Sequence, residues 1–448
     1  MPSSFHVLVC IAVAVSYWSV VGLALSRRLA PPVLTLPIAP VLGWAVHSAL
    51  ALPLFRAFGF TPAIAGLYSI AALIAAGLSL LMTRPGKGIQ PALRVPPLAY
   101  VCAAVLAVIV ASAVLPKISG DTVTLASPIF DHSKVAMIDE MTRLGVPPGN
   151  PFFGETGRES HLVYYYLWHF SAAELALIFG FSGWETDIAM TAFTAFASLS
   201  LMIGFAVWFS RRAWAGYVVI LLAFSASLYP VLEFLLTGET LYTFIQEPTG
   251  FAGWLFQVSW APQHMASATC VVLSTFLLAR VARQPSALTV FVLAAVTAAG
   301  YQSSTWAGGI TFGATAPPIV VLMLMGCEPK DRARYLSFCA IAGLIAAALS
   351  SPFLRDQFAA AAAARDGGAP IAFQPVEVFN DGIAEPWRTI YCTPNPMAPV
   401  IDSYRRVILY GQAPQWQYFL PGAAMALIVL VGGLRLFKRL EIGIADLI

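Results

Sequence analysis

Apolar stretches long enough to cross a lipid bilayer constrain the fold of this chain more than any other feature. A bilayer core requires about 20 mainly apolar residues per helix. By that criterion, the predicted spans are 7–26, 33–55, 62–83, 97–116, 188–210, 213–232, 262–279, 286–304, 306–327, 335–352 and 418–434. The predicted fold class is therefore all-α, a polytopic integral membrane protein with about eleven transmembrane helices.

The scarcity of charge supports this interpretation. Only 10% of the 448 residues are charged, whereas soluble domains carry roughly 25%. That composition excludes a soluble enzyme and a disordered protein. The net charge of +3 is too small to indicate a polyanionic partner such as a nucleic acid. The first expected partner is the lipid bilayer itself.

The distribution of basic residues predicts the orientation in the membrane. Short cytoplasmic loops concentrate Lys and Arg. With the N-terminus outside, fifteen of the 25 basic residues and only four of the 22 acidic residues lie on the inner side, and the C-terminus is cytoplasmic. A further apolar segment, 161–181, would move Arg211 and Arg212 outside if it crossed the membrane. It is therefore predicted to be a helix lying at the outer surface. The expected location is a bacterial inner (plasma) membrane.

This topology divides the chain into five segments with different chemistry. Acidic residues on the outer side fall in three long segments, so polar chemistry is expected on the extracytoplasmic face. The segments are a four-helix region at 1–116, a first outer segment at 117–187, central helices at 188–352 containing the outer segment 233–261, a last outer segment at 353–417, and a final helix with a short tail at 418–448.

The first outer segment contains a predicted amphipathic helix. Ser127 is a plausible N-cap with Pro128 at the first helical position, and Gly145 ends the helix. On a helical wheel one face is apolar and the opposite face is polar, the pattern of a helix lying on a membrane surface. The apolar face holds Phe130, Met137, Met141 and Leu144, and the polar face holds His132, Asp139 and Arg143. An i, i+4 ion pair is expected between Asp139 and Arg143.

Aromatic and histidine residues provide further candidates. Tyr164, Tyr166 and Trp168 are predicted to form an interfacial aromatic belt. For His161 and Tyr165, function and packing are equally open. Within the spans, His47 is expected to bond a neighbouring helix, while His264 lies at the outer end of its span.

The first outer segment resembles a known family. The run from Asp131-His132 through Leu144-Gly145-Val146-Pro147-Pro148-Gly149-Asn150-Pro151-Phe152 to Tyr164-Tyr165-Tyr166 is similar to the first extracytoplasmic loop of GT-C membrane glycosyltransferases, especially the "YYY" membrane proteins. The later run Trp260-Ala261-Pro262-Gln263-His264 is similar to a second polar cluster in those proteins. Here the acidic loop follows the fourth span rather than the first, which implies additional N-terminal helices.

The resemblance implies transfer of a sugar from a polyprenyl-phosphate donor to a glycan, lipid or protein acceptor on the outer face. It implies that Asp131 is the catalytic base or metal ligand, with Asp121 as the competing position; a divalent metal, Mg or Mn, is left open. The substrate-binding candidates are His132, Glu155, Glu159, His161, Tyr165, Gln263, His264, Arg388, Arg405 and Arg406. For Arg405 and Arg406 the alternative is a solvated pair near the headgroups. Two other functions stay open: a transporter or flippase of a lipid-linked or amphipathic substrate, and a non-catalytic membrane assembly protein.

Overall fold

The computed structural model describes residues 4–82, 93–115, 117–119, 122–124, 128–151, 162, 164–224, 253–364, 403 and 413–445. The chain divides into two compact units, Met1–Gly368 and Ala369–Ile448. Within the described residues the structure is helical apart from one two-stranded hairpin.

Eight helical segments in the described part of the chain are long and apolar enough to cross a membrane. Four of them precede the hairpin and four follow it, and each overlaps a span predicted from the sequence. They are Ser4–Leu29 (α1), Ala39–Phe58 (α3), Pro62–Met82 (α4), Pro97–Val114 (α5), Gly183–Ser210 (α8), Pro262–Arg283 (α11), Thr305–Gly326 (a π-helical turn, Thr305–Ile310, leading into α13, Thr311–Gly326) and Pro329–Ala359, which is part of α14 (Pro329–Ala364).

The other elements are shorter or lie outside that count. The hairpin consists of β1 (Lys117–Ser119) and β2 (Thr122–Thr124), paired antiparallel with Lys117 opposite Thr124. The remaining helices are Pro32–Thr35 (α2), Pro128–Leu144 (α6), Leu167–Phe179 (α7), Ala215–Phe224 (α9), Trp254–Trp260 (α10), Ala287–Ser303 (α12) and Trp416–Ala445 (α15). Three predicted spans overlap α9, α12 and α15, so the predicted total of eleven is not established by the described helices.

Proline and glycine set many of the helix ends. Pro62, Pro97 and Pro262 each begin a helix, where the missing N–H of proline costs no helical hydrogen bond. Gly59 ends α3 with φ +95°, a backbone conformation that favours glycine. Ser182 and Glu185 form a reciprocal capping box that starts α8 at Gly183. The helix thus begins five residues before the predicted span at 188.

The tightest helix crossing joins α1 to α3. A Cβ atom added at Gly22 would overlap the carbonyl oxygen of Ala39, and one added at Gly43 would overlap the carbonyl oxygen of Trp18. Small residues at such crossings let two backbones approach closely, which is a principal source of helix association in lipid. The Trp18 and Trp44 rings are fully buried in the surrounding core.

Helix α7 corrects the prediction of a surface helix at 161–181. It begins at Leu167 rather than 161, and residues 167–176 are all buried. Trp44 donates to the hydroxyl of Ser171 at 3.0 Å, and Ser48 shares a hydrogen bond with the same hydroxyl at 2.9 Å. Its 13 residues extend only about 20 Å, less than the hydrocarbon thickness. The helix is too short to cross a membrane and fills the bundle interior, where Ser171 and Glu174 hydrogen-bond to side chains on α3.

Two contacts join the ends of helices that are far apart in the chain. His6, at the start of α1, lies 2.9 Å from Glu185 at the start of α8. At the opposite end of α1, the Arg28 carbonyl accepts a hydrogen bond at 3.3 Å from Arg280, which lies near the end of α11. Helix ends assigned to one side from their charges therefore do meet in space.

Candidate functional site

The helix carrying the predicted catalytic acid forms where the sequence places it. Helix α6 begins at Pro128 and ends before Gly145, whose φ is +92°. Asp131 and His132 lie in the first turn of this helix, and their side chains are outside the described residues. The competing acid, Asp121, also lies outside the described residues, between the paired residues Ser119 and Thr122 of the hairpin.

Asp139 and Arg143, on the predicted polar face of α6, are exposed as expected. Met137 and Met141 are buried as expected, and Asp139 on the opposite face accepts a hydrogen bond from the Gly183 N–H at 3.0 Å. Burial raises the pKa of the Asp139 carboxyl, and the Gly183 hydrogen bond partly opposes that rise. The carboxylate caps α8, because the first N–H groups of a helix lack intrahelical partners.

The prediction of an ion pair between Asp139 and Arg143 is wrong. Arg143 instead donates to both carboxylate oxygens of Glu140, at 2.7 and 2.9 Å. The i, i+3 spacing on α6 suits this pair, and Asp139 is already held at the start of α8. The pair lies at the surface and contributes little to stability.

A buried ion pair that the sequence did not reveal joins α6 to α8. The Lys134 Nζ lies 3.6 Å from an Asp187 carboxylate oxygen, and both side chains are almost entirely buried. Lys134 is three residues after Asp131, so the two residues occupy neighbouring positions on successive turns of α6. In the sequence, the i, i+3 spacing from Asp131 was the signal that could have identified Lys134. Asp187 had been assigned to a loop, which concealed its role.

His169 on α7 is influenced by the charge of Lys134. Its imidazole is fully buried, and neither ring nitrogen has a hydrogen-bond partner among the described residues. Burial, followed by the positive charge of Lys134 and then by His264, lowers the pKa of His169 to about 3. The ring is therefore neutral at neutral pH. A neutral imidazole has one donor and one acceptor nitrogen, and here both lack a partner among the described residues.

The two motif runs identified in the sequence, one ending at Tyr166 and the other at His264, contact each other through Tyr165 and His264. The Tyr165 hydroxyl lies 3.2 Å from His264 Nε2, and His264 Nδ1 lies 2.8 Å from the Ser304 hydroxyl. Burial and the neighbouring Tyr164 raise the pKa of Tyr165, so its hydroxyl stays protonated. Gln263 is buried, and its Oε1 has no partner in the described part of the chain. The structure thus brings together two of the predicted substrate-binding residues, Tyr165 and His264.

The prediction of an aromatic belt is wrong for Tyr166 and Trp168, which are fully buried. Tyr166 donates to the Asp356 carboxylate at 2.9 Å, and the same carboxylate pairs with Arg56. Trp168 donates to the Thr194 hydroxyl at 2.9 Å. Hydrogen bonding of buried Tyr and Trp is the usual requirement for these side chains. Their role is to fix the chain that leads into α7.

The histidine predicted to bond a neighbouring helix does so. His47 Nε2 lies 3.0 Å from both carboxylate oxygens of Glu174, and Tyr17 bonds to His47 Nδ1 at 2.9 Å. Glu174 had been counted as an acid of the first outer segment. The burial of α7 instead places it in the interior, beside α3.

The remaining predicted binding residues lie outside the described residues. They are Glu155, Glu159, His161, Arg388, Arg405 and Arg406. Among the described residues, no three His, Cys, Asp or Glu side chains converge in a way that would hold a metal ion.

Comparison with known proteins gives one relative. The chain is 35% identical, over 298 residues, to "Uncharacterized protein y4nK" of Sinorhizobium fredii (strain NBRC 101917 / NGR234). The match covers 64% of this chain and 43% of that protein, so the chain spans less than half of the relative's length. No family model matches, and no solved structure matches.

Proposed function

We propose that the protein is a GT-C-type membrane glycosyltransferase that transfers a sugar from a polyprenyl-phosphate donor to an acceptor on the extracytoplasmic face. Lys134 lies on the helix that bears Asp131, and its buried ammonium lies 3.6 Å from an Asp187 carboxylate oxygen. A contact between two distant segments carries the proposal. Two segments with the family's motifs, around Tyr165 and His264, meet within hydrogen-bond distance.

The proposed chemistry begins at Asp131. Its carboxylate accepts the proton of an acceptor hydroxyl as that oxygen attacks the anomeric carbon of the donor sugar. A new carbon–oxygen bond forms to the acceptor, and the bond from the anomeric carbon to the phosphate oxygen breaks with its electron pair leaving on the lipid phosphate. General-base catalysis of this kind contributes about 10²- to 10⁴-fold.

Cationic groups stabilise the negative charge that develops on the departing phosphate. Lys134 provides a buried positive charge one turn from Asp131. Arg388, Arg405 and Arg406 remain the proposed direct phosphate ligands, because guanidinium groups match phosphate oxygens in a bidentate geometry. A Mg or Mn ion is not required by any step above.

The proposed topology has eleven spans, the N-terminus outside and the C-terminus in the cytoplasm of a bacterial inner membrane. Contacts between helix ends support this alternation, since Arg56 at the end of α3 pairs with Asp356 near the end of α14. Both ends lie on the outer side in this topology. The site built around Tyr165 and His264 then lies on the same side, where a flipped lipid-linked sugar is available.

A transporter or flippase is the second candidate, and one observation favours it. The His47–Glu174 pair is almost fully buried inside a bundle of apolar helices. Ionisable residues inside a membrane often mark substrate or proton pathways. A non-catalytic assembly protein is the third outcome of the experiment below.

The test is transfer by purified protein in lipid nanodiscs with a panel of polyprenyl-phosphate sugars. We expect Asp131→Asn to reduce transfer by about 10²- to 10⁴-fold while the melting temperature stays unchanged. Glu140→Gln is the matched control, because it removes a carboxylate from the same helix at a site that pairs with the exposed Arg143. Asp121→Asn tests the competing acid.

Each other result points away from the proposal. Full activity in Asp131→Asn removes that residue from the mechanism. Movement of the lipid-linked sugar across proteoliposomes without transfer supports the transporter. Absence of both activities in the wild-type protein supports the assembly role.

A further inference from the structure

Ser304 connects the candidate site to the π-helical turn that follows α12. Its hydroxyl lies 2.8 Å from His264 Nδ1 and accepts a hydrogen bond from the Ala307 N–H, in the π-helical turn, at 3.0 Å. The residue is fully buried. Turns of π-helix occur frequently at functional sites. Ser304 is therefore a candidate for a role in the site that His264 and Tyr165 form.

A close crossing between α11, α12 and the π-helical turn holds Ser304 in place. The Ser267 hydroxyl on α11 donates to the Gly300 carbonyl on α12 at 2.6 Å. A Cβ atom added at Gly308, in the π-helical turn, would overlap the same carbonyl oxygen. Backbones packed this closely have little room to move apart or slide. The contact between Ser304 and His264 is thus fixed by the packing of three elements.

The hydrogen bonds of Ser304 indicate which nitrogen of His264 carries the proton. Among the described residues, the Ser304 hydroxyl bonds to Ala307 and His264 alone, and it has one hydrogen to donate. If Nδ1 carried a proton, the hydroxyl would accept from both groups and its own buried hydrogen would lack an acceptor there. Buried polar groups rarely stay unpaired, because the cost is high. The geometry therefore favours a neutral imidazole with its proton on Nε2.

This tautomer sets the direction of the next hydrogen bonds. The protonated Nε2 of His264 lies 3.2 Å from the Tyr165 hydroxyl and donates to its oxygen, so Tyr165 keeps its own hydrogen for another acceptor. Burial, followed by a side-chain hydrogen bond to Tyr164, raises the pKa of Tyr165. A hydrogen bond that raises the pKa of a phenol stabilises its neutral form, as it does where the phenol donates. The chain of donors therefore continues from Tyr165 to Tyr164.

We propose that Ser304 is a positioning residue, which donates to His264 Nδ1 and thereby holds the imidazole in its Nε2–H tautomer. The two tyrosines that follow are then oriented as hydrogen-bond donors. In the proposed glycosyl transfer, on which only this last step rests, the terminal hydroxyl of Tyr164 donates to an oxygen atom of the lipid-linked sugar donor.

Magic-angle-spinning NMR of the full chain in lipid bilayers tests the tautomer directly, whatever the activity of the protein. Histidine is labelled with nitrogen-15, and the spectrum of His264→Gln identifies the signals of that ring among the six histidines. We expect a single neutral tautomer at neutral pH, with hydrogen on Nε2 and none on Nδ1. Ser304→Ala should introduce the second tautomer, and Ser304→Thr, which keeps the hydroxyl, should restore the wild-type signals.

Two further variants separate Ser304 from its surroundings. Ser303→Ala is the matched control, since Ser303 is also buried and its hydroxyl has no partner in the described part of the chain. Tyr165→Phe removes the hydroxyl that faces Nε2 and should leave the hydrogen there, because Ser304 still donates to Nδ1. If Ser304→Ala fails to fold, the wild-type and Tyr165→Phe spectra decide which nitrogen Ser304 leaves unprotonated.

The transfer assay measures the consequence for the proposed reaction. Ser304→Ala should lower transfer by about 2- to 10-fold, the effect of one hydrogen bond between neutral groups. Ser304→Thr should stay near the wild-type rate, and Ser303→Ala should match it. A wild-type protein that transfers no sugar would contradict the proposed function, and the NMR spectra would then decide the role of Ser304 alone.

Three results would overturn the proposal. Hydrogen on Nδ1 of His264 in the wild-type protein would reverse the direction of the chain. An unchanged His264 spectrum in the folded Ser304→Ala variant would mean that another group holds the ring. Equal loss of transfer in Ser304→Ala and Ser304→Thr would mean that the shape of the side chain, rather than its hydroxyl, is required.

Discussion

His47 and Glu174, 127 positions apart in the chain, meet with the imidazole Nε2 3.0 Å from both carboxylate oxygens. The side chains are only 1% and 3% exposed. The pair fastens the short helix α7 to α3, and neighbouring hydrogen bonds from Trp44 and Ser48 to Ser171 reinforce the same contact. An apolar bundle accommodates these polar groups because each is satisfied by the other helix.

Breaking this pair from one side should be strongly destabilising. Glu174→Ala leaves the imidazole of His47 without its partner in the protein interior, and we expect a loss of about 3–5 kcal/mol in the free energy of unfolding. The measurement is reversible unfolding in mixed detergent micelles. The double variant His47→Leu/Glu174→Leu should recover much of that loss, because neither member of the pair is left without the other. The Tyr17 hydroxyl, which bonds to His47, can still donate to the Ser69 carbonyl. Additive losses in the double variant would contradict this account.

His169 should make stability depend on pH. Its pKa falls from an ordinary value of 6.5 to about 3 in the folded protein. The unfolded chain therefore binds more protons between those values, so stability is full above pH 6.5 and is lost as pH falls towards 3. We expect His169→Gln to show a smaller decrease in melting temperature from neutral to mildly acidic pH. An unchanged pH profile in a folded His169→Gln protein would remove His169 as the cause.

The α1–α3 crossing gives a prediction with an internal control. Gly43→Ala would force a methyl group into the Trp18 carbonyl oxygen, and we expect it to cost at least about 1–3 kcal/mol in the free energy of unfolding. Gly66→Ala on α4 has nothing within 4 Å. It should be neutral or stabilising by up to about 1 kcal/mol, because alanine favours the helix. Equal effects of the two substitutions in detergent unfolding would contradict the close crossing.

The proposed topology predicts which positions react with a membrane-impermeant thiol reagent. In a cysteine-free background, Gly120→Cys should react in intact cells, and Pro285→Cys should react only after the membrane is permeabilised. Thr61→Cys, in the short connection between α3 and α4, is predicted to lie on the same side as residue 120. Reaction of residues 120 and 285 from one side would make the eleven-span topology wrong.

Local sequence signals predicted much of the fold. All eight membrane-length helices overlap a predicted span, because hydropathy and length are properties of a continuous segment. The start of α6 at Pro128 and its end at Gly145 were likewise readable from residue type. The capping box of Ser182 and Glu185 was also readable but went unused, and the start of α8 was placed too late.

The candidate site was predictable only in part. The motifs identified Tyr165, Gln263 and His264, and the structure brings Tyr165 and His264 into contact. Lys134 and His169 were missed, because each looks ordinary beside its neighbours in the chain. Their environment comes from the packing of α6, α7 and α8. This packing buries Lys134 and His169 and places an Asp187 carboxylate oxygen 3.6 Å from Lys134 Nζ.

The sequence by itself determined that this protein is built from apolar helices of membrane length, since hydropathy is a sum over adjacent residues. It also predicts on which side of the membrane the acids and bases lie. Only the tertiary structure decided that α7 is buried and that Glu174 belongs to His47 rather than to an outer surface. The physical reason is that burying a carboxylate such as that of Glu174 is costly unless a partner is present. That partner lies on another helix, at a distance along the chain that no local pattern specifies.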